Sequence, residues 1–589
     1  MDSYVFGVSK SCLGNAWVES LDLEFSNYAT NISQQFSLSS NLARLLAARA
    51  VSEDNILSYL NPKIRDLMPS PFSFKDMDIA VGRIIKAITK QENITIYGDY
   101  DVDGACSSAM MFRFFQSLGI KCDIFIPNRI TDGYGLNPQQ LDKISAQGTK
   151  LLIAVDCGSN GSKDISVKSN MDVLVLDHHK VNNLNDIALA VVNPNRNDDN
   201  SGCNYLCAAG VVFVTICGVI SKLRDNKIYS NKLPNPLEYL DMVAMATMCD
   251  VVPIIGLNRA FITSGIKIAR LMKNLGIRNL VKAIGITSPI DATIFSFKFG
   301  PHINAAGRIA DQTIGARLLS TYDEEEAVDL ANILVKVNKE RRAIEASDLE
   351  NIIFRIESKL STEDLPSIII EMGDWHQGVV GLLASRLKDK YLRPTIILSK
   401  QINGYAVGSA RSTTLVDIGR LIHEAFDNGL VEKGGGHAMA AGLTIKQDSL
   451  PQFISFMQNE VAKKLKGLHN IPILKIELIT TVNGFNQDLY SEVEKAGPYG
   501  AGNPEPLILI KSAYIKNIMK VGDNHLSITI TDNDGNVRKA IAFRAKGTAL
   551  ETLLMSKLHS YCHLVGYIKL NYYRNVATVQ MELIDAVAS

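Results

Sequence analysis

Three apolar, strand-like runs in the first half of the chain, at 94–97, 151–155 and 173–176, each end in a short polar segment. Those segments are Gly98-Asp99-Tyr100-Asp101-Val102-Asp103-Gly104, Val155-Asp156-Cys157-Gly158 and Asp177-His178-His179. A fourth, Cys249-Asp250, closes a helix-like stretch over 237–248. A parallel α/β sheet gathers the C-terminal ends of its strands along one edge, so residues far apart in sequence converge there. Carboxylates that converge repel one another unless cations neutralise them. Oxygen ligands with one or two imidazoles suit Mn²⁺ or Mg²⁺ better than a structural zinc. The pattern predicts two bound ions and hydrolysis of a phosphate ester, with no Ser or Cys nucleophile required.

Each piece has a plainer reading. A lone D-x-D-x-D-G is as well explained by a Ca²⁺ or capping loop. Asp156 by itself reads as a helix cap, and His178-His179 as a buried pair. The joint placement at strand and helix ends carries the specificity.

At 589 residues the chain is too long for one core, and three or four domains are expected. Net charge is zero, with 61 basic and 61 acidic residues, so a nucleic-acid partner has to be held by a local groove. The nine cysteines are an odd number in buried-looking contexts, as for reduced thiols in a cytoplasm. No basic segment followed by an apolar core opens the sequence, which argues against secretion. Residues 205–220 are strongly apolar but short of the roughly 20 residues a membrane span needs, so a buried helix is expected and no membrane.

Residues 1–75 read as a polar, partly helical extension, and 76–320 as alternating strands and helices, hence a parallel sheet. Residues 322–360 lack Gly and Pro and predict a long helix connecting two lobes, over 321–362. A second α/β unit is expected over 363–466. From 467 to 589 short alternating strands, with a hairpin turn at Asp534-Gly535, predict an OB-like β-barrel.

The order GDYDVDG, VDCG, DHH, CDVVP resembles the DHH phosphoesterase superfamily. The rest of the chain is similar to one branch of it, the RecJ single-stranded DNA exonucleases. The supporting segments are Ile126-Pro127-Asn128-Arg129, Gly133-Tyr134-Gly135-Leu136, Asn304-Ala305-Ala306-Gly307-Arg308, Asp374-Trp375-His376-Gln377-Gly378, Gly408-Ser409-Ala410-Arg411-Ser412 and Gly434-Gly435-Gly436-His437. The resemblance covers about 75–589. It implies metal ligands at Asp99, Asp101, Asp103, Asp156, His178 and Asp250, with Asp156 bridging the two ions. His179 would sit beside the scissile phosphate. It also implies a 5′-to-3′ exonuclease on single-stranded DNA in cytoplasmic recombination and repair, with a single-stranded-DNA-binding protein and a helicase as partners.

On the opposite wall, Arg129, Ser409 and Arg411 resemble a clamp for a terminal 5′ phosphate, for which the planar Arg fork is suited. Tyr134 would stack on a base, while Arg308, His376 and His437 complete the substrate-binding set. A Gly-rich loop at 434–436 would bring N–H groups to phosphate. His302 stands where the family usually shows Arg, which predicts weaker or pH-sensitive binding. Between Lys511 and Arg574, ten basic residues face four acidic ones, and with Tyr567, Tyr572 and Tyr573 they suggest a groove for a single strand. Two rivals remain. A phosphodiesterase for short oligonucleotides or cyclic dinucleotides would lack the barrel, and a non-catalytic scaffold would have lost acidic ligands.

Overall fold

The computed structural model describes residues 4–129, 132–133, 135–161, 171–229, 233–360, 365–466, 471–573 and 576–589. Tyr134, Arg574 and the side chain of Tyr573 lie outside the described residues.

Strand β1 (Ala16–Glu19) opens the chain and joins its far end, as described below. Strands β2 (Ile94–Gly98), β3 (Cys122–Phe125), β4 (Leu151–Val155), β5 (Asp172–Leu176) and β6 (Ala190–Val192) form an all-parallel sheet in the order β3-β2-β4-β5-β6. The register sets Gly98 beside Val155 and Val155 beside Leu176, so the three motif-bearing ends fall level. The order reverses between β2 and β4, and that is where an open α/β sheet leaves its crevice. β2 and β4 are buried along their whole length because helices cover both faces. One of these, Ala208–Asp225, is the expected apolar helix and is buried at thirteen positions. Among the described residues no helix is long and apolar enough to cross a membrane.

Helix Glu324–Leu360 runs for 37 residues, about 55 Å at 1.5 Å per residue. Ala327, Leu330, Ala331 and Leu334 join the first core, whereas Ile352 and Ile356 join a core with Leu383 and Leu387 of the next unit. That unit contains β7 (Ile369–Gly373), β8 (Thr395–Lys400), β9 (Tyr405–Arg411), β10 (Lys433–His437) and β11 (Ala440–Lys446), ordered β10-β11-β9-β8-β7. The expected Gly-rich loop is therefore β10, an edge strand paired antiparallel with β11. Gly434 serves close packing. A Cβ on Gly434 would lie 2.6 Å from Ile422 Cγ2 on helix Ile418–Asp427.

The last unit holds β12 (Ile473–Thr480), β13 (Leu507–Val521), β14 (His525–Thr531), β15 (Val537–Ala542), β16 (Tyr561–Tyr573) and β17 (Val576–Ala588). β13, β14, β15, β17 and β16 pair in that cycle, and β16 returns to β13 to close a five-stranded barrel. β12 adds to β13 in parallel and β1 adds to β12, so the two ends of the chain share one sheet. The N-terminal segment is more than a polar extension. Trp17 is fully buried, and its Nε1 donates to Asp585 at 3.0 Å. Asn15 Nδ2 donates to the same carboxylate at 2.9 Å and the Cys12 thiol at 3.4 Å.

Asp585→Ala would leave the Trp17 and Asn15 donors without a buried acceptor. We expect a loss on the order of 3 kcal/mol in the stability of this unit, read from its denaturation midpoint. A midpoint equal to that of the parent chain would show that the clasp contributes nothing.

Candidate metal centre

Asp99 lies one residue beyond β2. Asp101 is the N-cap of helix Val102–Ser117, accepting from Asp103 N at 2.9 Å and Gly104 N at 3.1 Å. Asp103 is in the first helical turn and is buried. The three acids are thus gathered by a strand-to-helix turn. Gly104 permits it, since a Cβ there would fall 2.4 Å from the Asp99 carbonyl oxygen. Asp156 directly follows β4 at φ 63°, left-handed backbone that costs a non-glycine residue about 1–2 kcal/mol. Its N–H donates to Leu176 O at 3.0 Å, tying it to the end of β5.

These side chains meet the DHH segment. His178 Nε2 lies 3.3 Å from Asp156 Oδ1, 3.6 Å from Asp250 Oδ2 and 3.7 Å from Asp103 Oδ2. One ligand atom each from Asp99, Asp101 and Asp156 falls within 4.8 Å of the others, as do those of Asp103, His178 and Asp250, and those of Asp156, His178 and His179. Asp156 belongs to two of the three groups. Burial, and after it the neighbouring carboxylates, push Asp99 and Asp156 well above the usual carboxylate range. Burial likewise raises Asp103, and Asp250 rises to about 9 through burial and the charges of Asp103 and Asp101. Burial lowers His178, favouring the neutral imidazole that ligates metal, and its Nε2 is buried without a hydrogen-bond partner. An orphaned imidazole nitrogen facing three carboxylates is the donor set a divalent cation would satisfy.

A second layer, absent from the sequence reading, holds these groups. Asp177 accepts from Ser159 N at 3.0 Å, His178 N at 2.7 Å, His179 N at 3.2 Å and His179 Nδ1 at 2.8 Å. Burial opposes its charge, but the His179 bond and both imidazoles outweigh it and hold Asp177 well below the usual range. His179 is correspondingly raised to about 9, the Asp177 bond overcoming burial. Asn193 Nδ2 donates to His179 O at 2.8 Å and Ser159 Oγ at 2.7 Å, and Asn195 Nδ2 donates to His178 O at 2.5 Å. Asp103 accepts from Ala208 N at 2.7 Å and Ala209 N at 2.8 Å, the first amides of helix Ala208–Asp225. The missed signal was the apolar run 188–192 ending in Asn193-Pro194-Asn195, one more strand end on the same edge.

Across the crevice the structure assembles arginines from three elements. Arg129 follows β3 and stacks over the Tyr100 ring at 4.8 Å. Arg308, on helix Gly300–Ile309, donates to Gly378 O at 3.1 Å. Arg411 ends β9 and donates to Ser409 Oγ at 2.8 Å. Burial and the charges of Arg129, Arg341 and Arg411 lower Arg308 to about 10. Burial and Arg129 lower Arg411 as well. Like charges packed this closely are prepared for an anion. His376 shapes the same turn, its Nδ1 accepting from Gly378 N at 3.1 Å. His437 lies exposed on β10, and Tyr134 is outside the described residues. His302 Nδ1 donates to Lys298 O at 2.6 Å, and burial leads the effects that lower its pKa, ahead of the charges of Lys298, Arg341 and Arg342.

Residues 93–247 match the DHH family, N-terminal domain, residues 365–463 the DHHA1 domain and residues 476–585 the RecJ OB domain. Fold and site together define a DHH-type phosphoesterase. The chain belongs to the RecJ family. It is 31% identical over 572 residues to the single-stranded-DNA-specific exonuclease RecJ of Bacillus subtilis (strain 168), covering 95% of this chain and 69% of that protein. To the protein of the same name in Escherichia coli (strain K12) it is 32% identical over 520 residues, covering 85% and 88%. RecJ of Thermus thermophilus in complex with Mn²⁺ shares the fold at a TM-score of 0.78 and 24% identity, over 97% of this chain and 79% of that one. A structure of exonuclease RecJ bound to manganese matches at 0.57 and 28% identity, over 68% and 98%.

Asp177→Asn removes the charge that orients His179 while keeping an acceptor for the backbone amides. We expect turnover to fall by roughly ten- to a hundredfold in a protein that still folds. Unchanged turnover would remove Asp177 from the machinery.

Proposed function

We infer that the chain is a Mn²⁺- or Mg²⁺-dependent exonuclease that hydrolyses single-stranded DNA from the 5′ end to mononucleotides, serving recombination and repair. The observation that carries this is the convergence of Asp99, Asp101, Asp103, Asp156, His178 and Asp250 opposite the Arg129–Arg308–Arg411 wall. Two bound divalent cations would neutralise the carboxylates, activate a water and offset charge on the departing oxygen. The protein's own contribution is positional. Asp156, common to two ligand groups, is assigned the bridging place, and Asp177 aims His179 at the phosphate. Arg411, held by Ser409, and Arg129, braced on Tyr100, fix a terminal 5′ phosphate, with Arg308 between them.

A cleft of about 1420 Å³ runs past Cys249, Arg308 and Arg341 to the barrel, where Phe543 and Tyr572 line it. Both aromatics are partly exposed, at 52% and 45%, and are assigned to base stacking. The basic excess of the barrel has a smaller part than its count suggests. Among the described residues of that set, only Lys569 lines the cleft, and it is paired with Glu505 at 2.5 Å. Arg538 donates to Phe485 O at 2.5 Å and Asn483 O at 3.2 Å, bracing a neighbouring loop. Units at 1–75, 76–320, 321–362, 363–466 and 467–589, a cytoplasmic location, and partnership with a single-stranded-DNA-binding protein and a helicase belong to the same reading.

Asp156→Ala should abolish hydrolysis while far-ultraviolet circular dichroism stays native, because a bridging ligand and its charge are both lost. Near-normal turnover in the folded variant would sink the two-metal assignment. Arg411→Ala should weaken 5′-phosphorylated single strands by about ten- to a hundredfold, the worth of a charge-assisted hydrogen bond. The comparison is with 5′-hydroxyl strands, and equal losses on both would contradict the clamp.

A further inference from the structure

The turn that carries Asp250 is strained, and the far end of the chain holds it. Asp250 follows helix Leu240–Cys249, and Val251 comes next at φ 59°, left-handed backbone that a β-branched residue rarely adopts. Such a conformation persists where the surroundings over-determine it. Val251 is 68% exposed, so its own side chain supplies little of that restraint. The restraint comes three residues on. Ile254 N donates to Ala501 O at 2.8 Å, and Asn258 Nδ2 donates to Pro253 O at 3.0 Å.

Ala501 belongs to the 497–503 loop, which lies between helix Gln487–Ala496 and β13 in the C-terminal unit. The loop is itself closed. Asn503 Nδ2 donates to Ala496 O at 3.0 Å and Pro498 O at 2.8 Å, while Gly500 and Asn503 exchange backbone bonds at 2.9 and 3.1 Å. Arg259, from the first unit, donates to Gly497 O and is stacked on Tyr59. The approach to the Asp250 turn is too close for side chains. A Cβ on Gly500 would lie 2.7 Å from Ile254 Cδ1, and one on Gly502 3.3 Å from Pro253 Cβ. Ile254 is buried, which limits how far it can yield.

We propose that the 497–503 loop is a positioning element for the metal centre: it holds Ile254, and through the Val251 turn it fixes the Asp250 carboxylate. The proposal rests on the reading of Asp250 as a metal ligand. It makes metal affinity depend on residues of the barrel unit, which then has a role in the chemistry beyond holding a strand. The same loop lines the cleft through Gly497, Tyr499 and Ala501, so cleft and metal centre share one wall.

The test is Mn²⁺ binding by calorimetry on the full chain, with folding followed by circular dichroism and the denaturation midpoint. Gly500→Ala should weaken Mn²⁺ binding by roughly tenfold in a folded protein, the size seen when support of a metal ligand is lost. Ile254→Val removes the Cδ1 methyl that the new Cβ meets. The double variant Gly500→Ala/Ile254→Val should therefore recover parental affinity to within about twofold. Asn503→Ala, which unclasps the loop without adding bulk, should also lower affinity and serves if Gly500→Ala does not fold. Asp250→Ala separates the two layers of the argument. If it weakens Mn²⁺ binding while folded Gly500→Ala or Asn503→Ala does not, the positioning role is overturned. If Asp250→Ala leaves Mn²⁺ affinity unchanged, the underlying ligand assignment fails instead. A lower midpoint with unchanged Mn²⁺ affinity would mark the loop as structural only.

Discussion

Carboxylates buried at the end of a parallel sheet are held there against their own repulsion, and much of this molecule can be understood from how that repulsion is managed. Asp99, Asp103 and Asp156 are all nearly inaccessible, and burial together with mutual charge drives their pKa values up. Left to itself such a cluster would protonate or expand. The chain gathers it by register, setting the ends of β2, β4 and β5 level, and by the switch in strand order between β2 and β4. It then fixes each member from behind. The first amides of one helix hold Asp103, Asp101 caps another, and Asp177 holds the His179 imidazole and the His178 backbone. What remains unbalanced is the negative field at the centre, which divalent cations complement.

Opposite charge is managed in the same way. Arg129, Arg308 and Arg411 come from different elements, and their closeness lowers the pKa values of Arg308 and Arg411 beyond what burial does. Two fields of opposite sign face each other across one crevice, one suited to cations and the other to an anion. A phosphodiester with a terminal phosphate, the substrate proposed above, would satisfy both. The long helix Glu324–Leu360 joins the core of the first unit, which carries the acids, Arg129 and Arg308, to the unit that carries Arg411, and Arg341 with Glu345 sits buried midway along it.

The acids of the site could be read in the sequence because apolar strands announce their own ends. Where the chain reaches an edge through a tertiary contact, the signal is fainter. Asn193 and Asn195 follow a three-residue strand too short to stand out, and the partners of Asp103 are 105 and 106 positions away. Asp99, Asp101 and Asp103 do not continue the strand, because a helix begins at Val102, with Gly104 in its first turn. Three successive glycines read naturally as a loop, yet 434–436 belongs to an edge strand, in which Gly434 admits a neighbouring helix and Gly436 the adjacent strand. The barrel was legible from its alternation and hairpin turn. Its fifth pairing, β13 with β16, and the addition of β1 were not, since such pairs are separated by long stretches of chain.

The acidic cluster is proposed to hold a pair of divalent cations with Asp156 between them. Anomalous diffraction at the manganese edge, from crystals of the full chain grown with Mn²⁺, tests it most directly. Two peaks about 4 Å apart are expected at the carboxyl edge of β2 and β4, both in contact with Asp156. A single peak away from Asp156, or no peak with Mn²⁺ in excess, would contradict it.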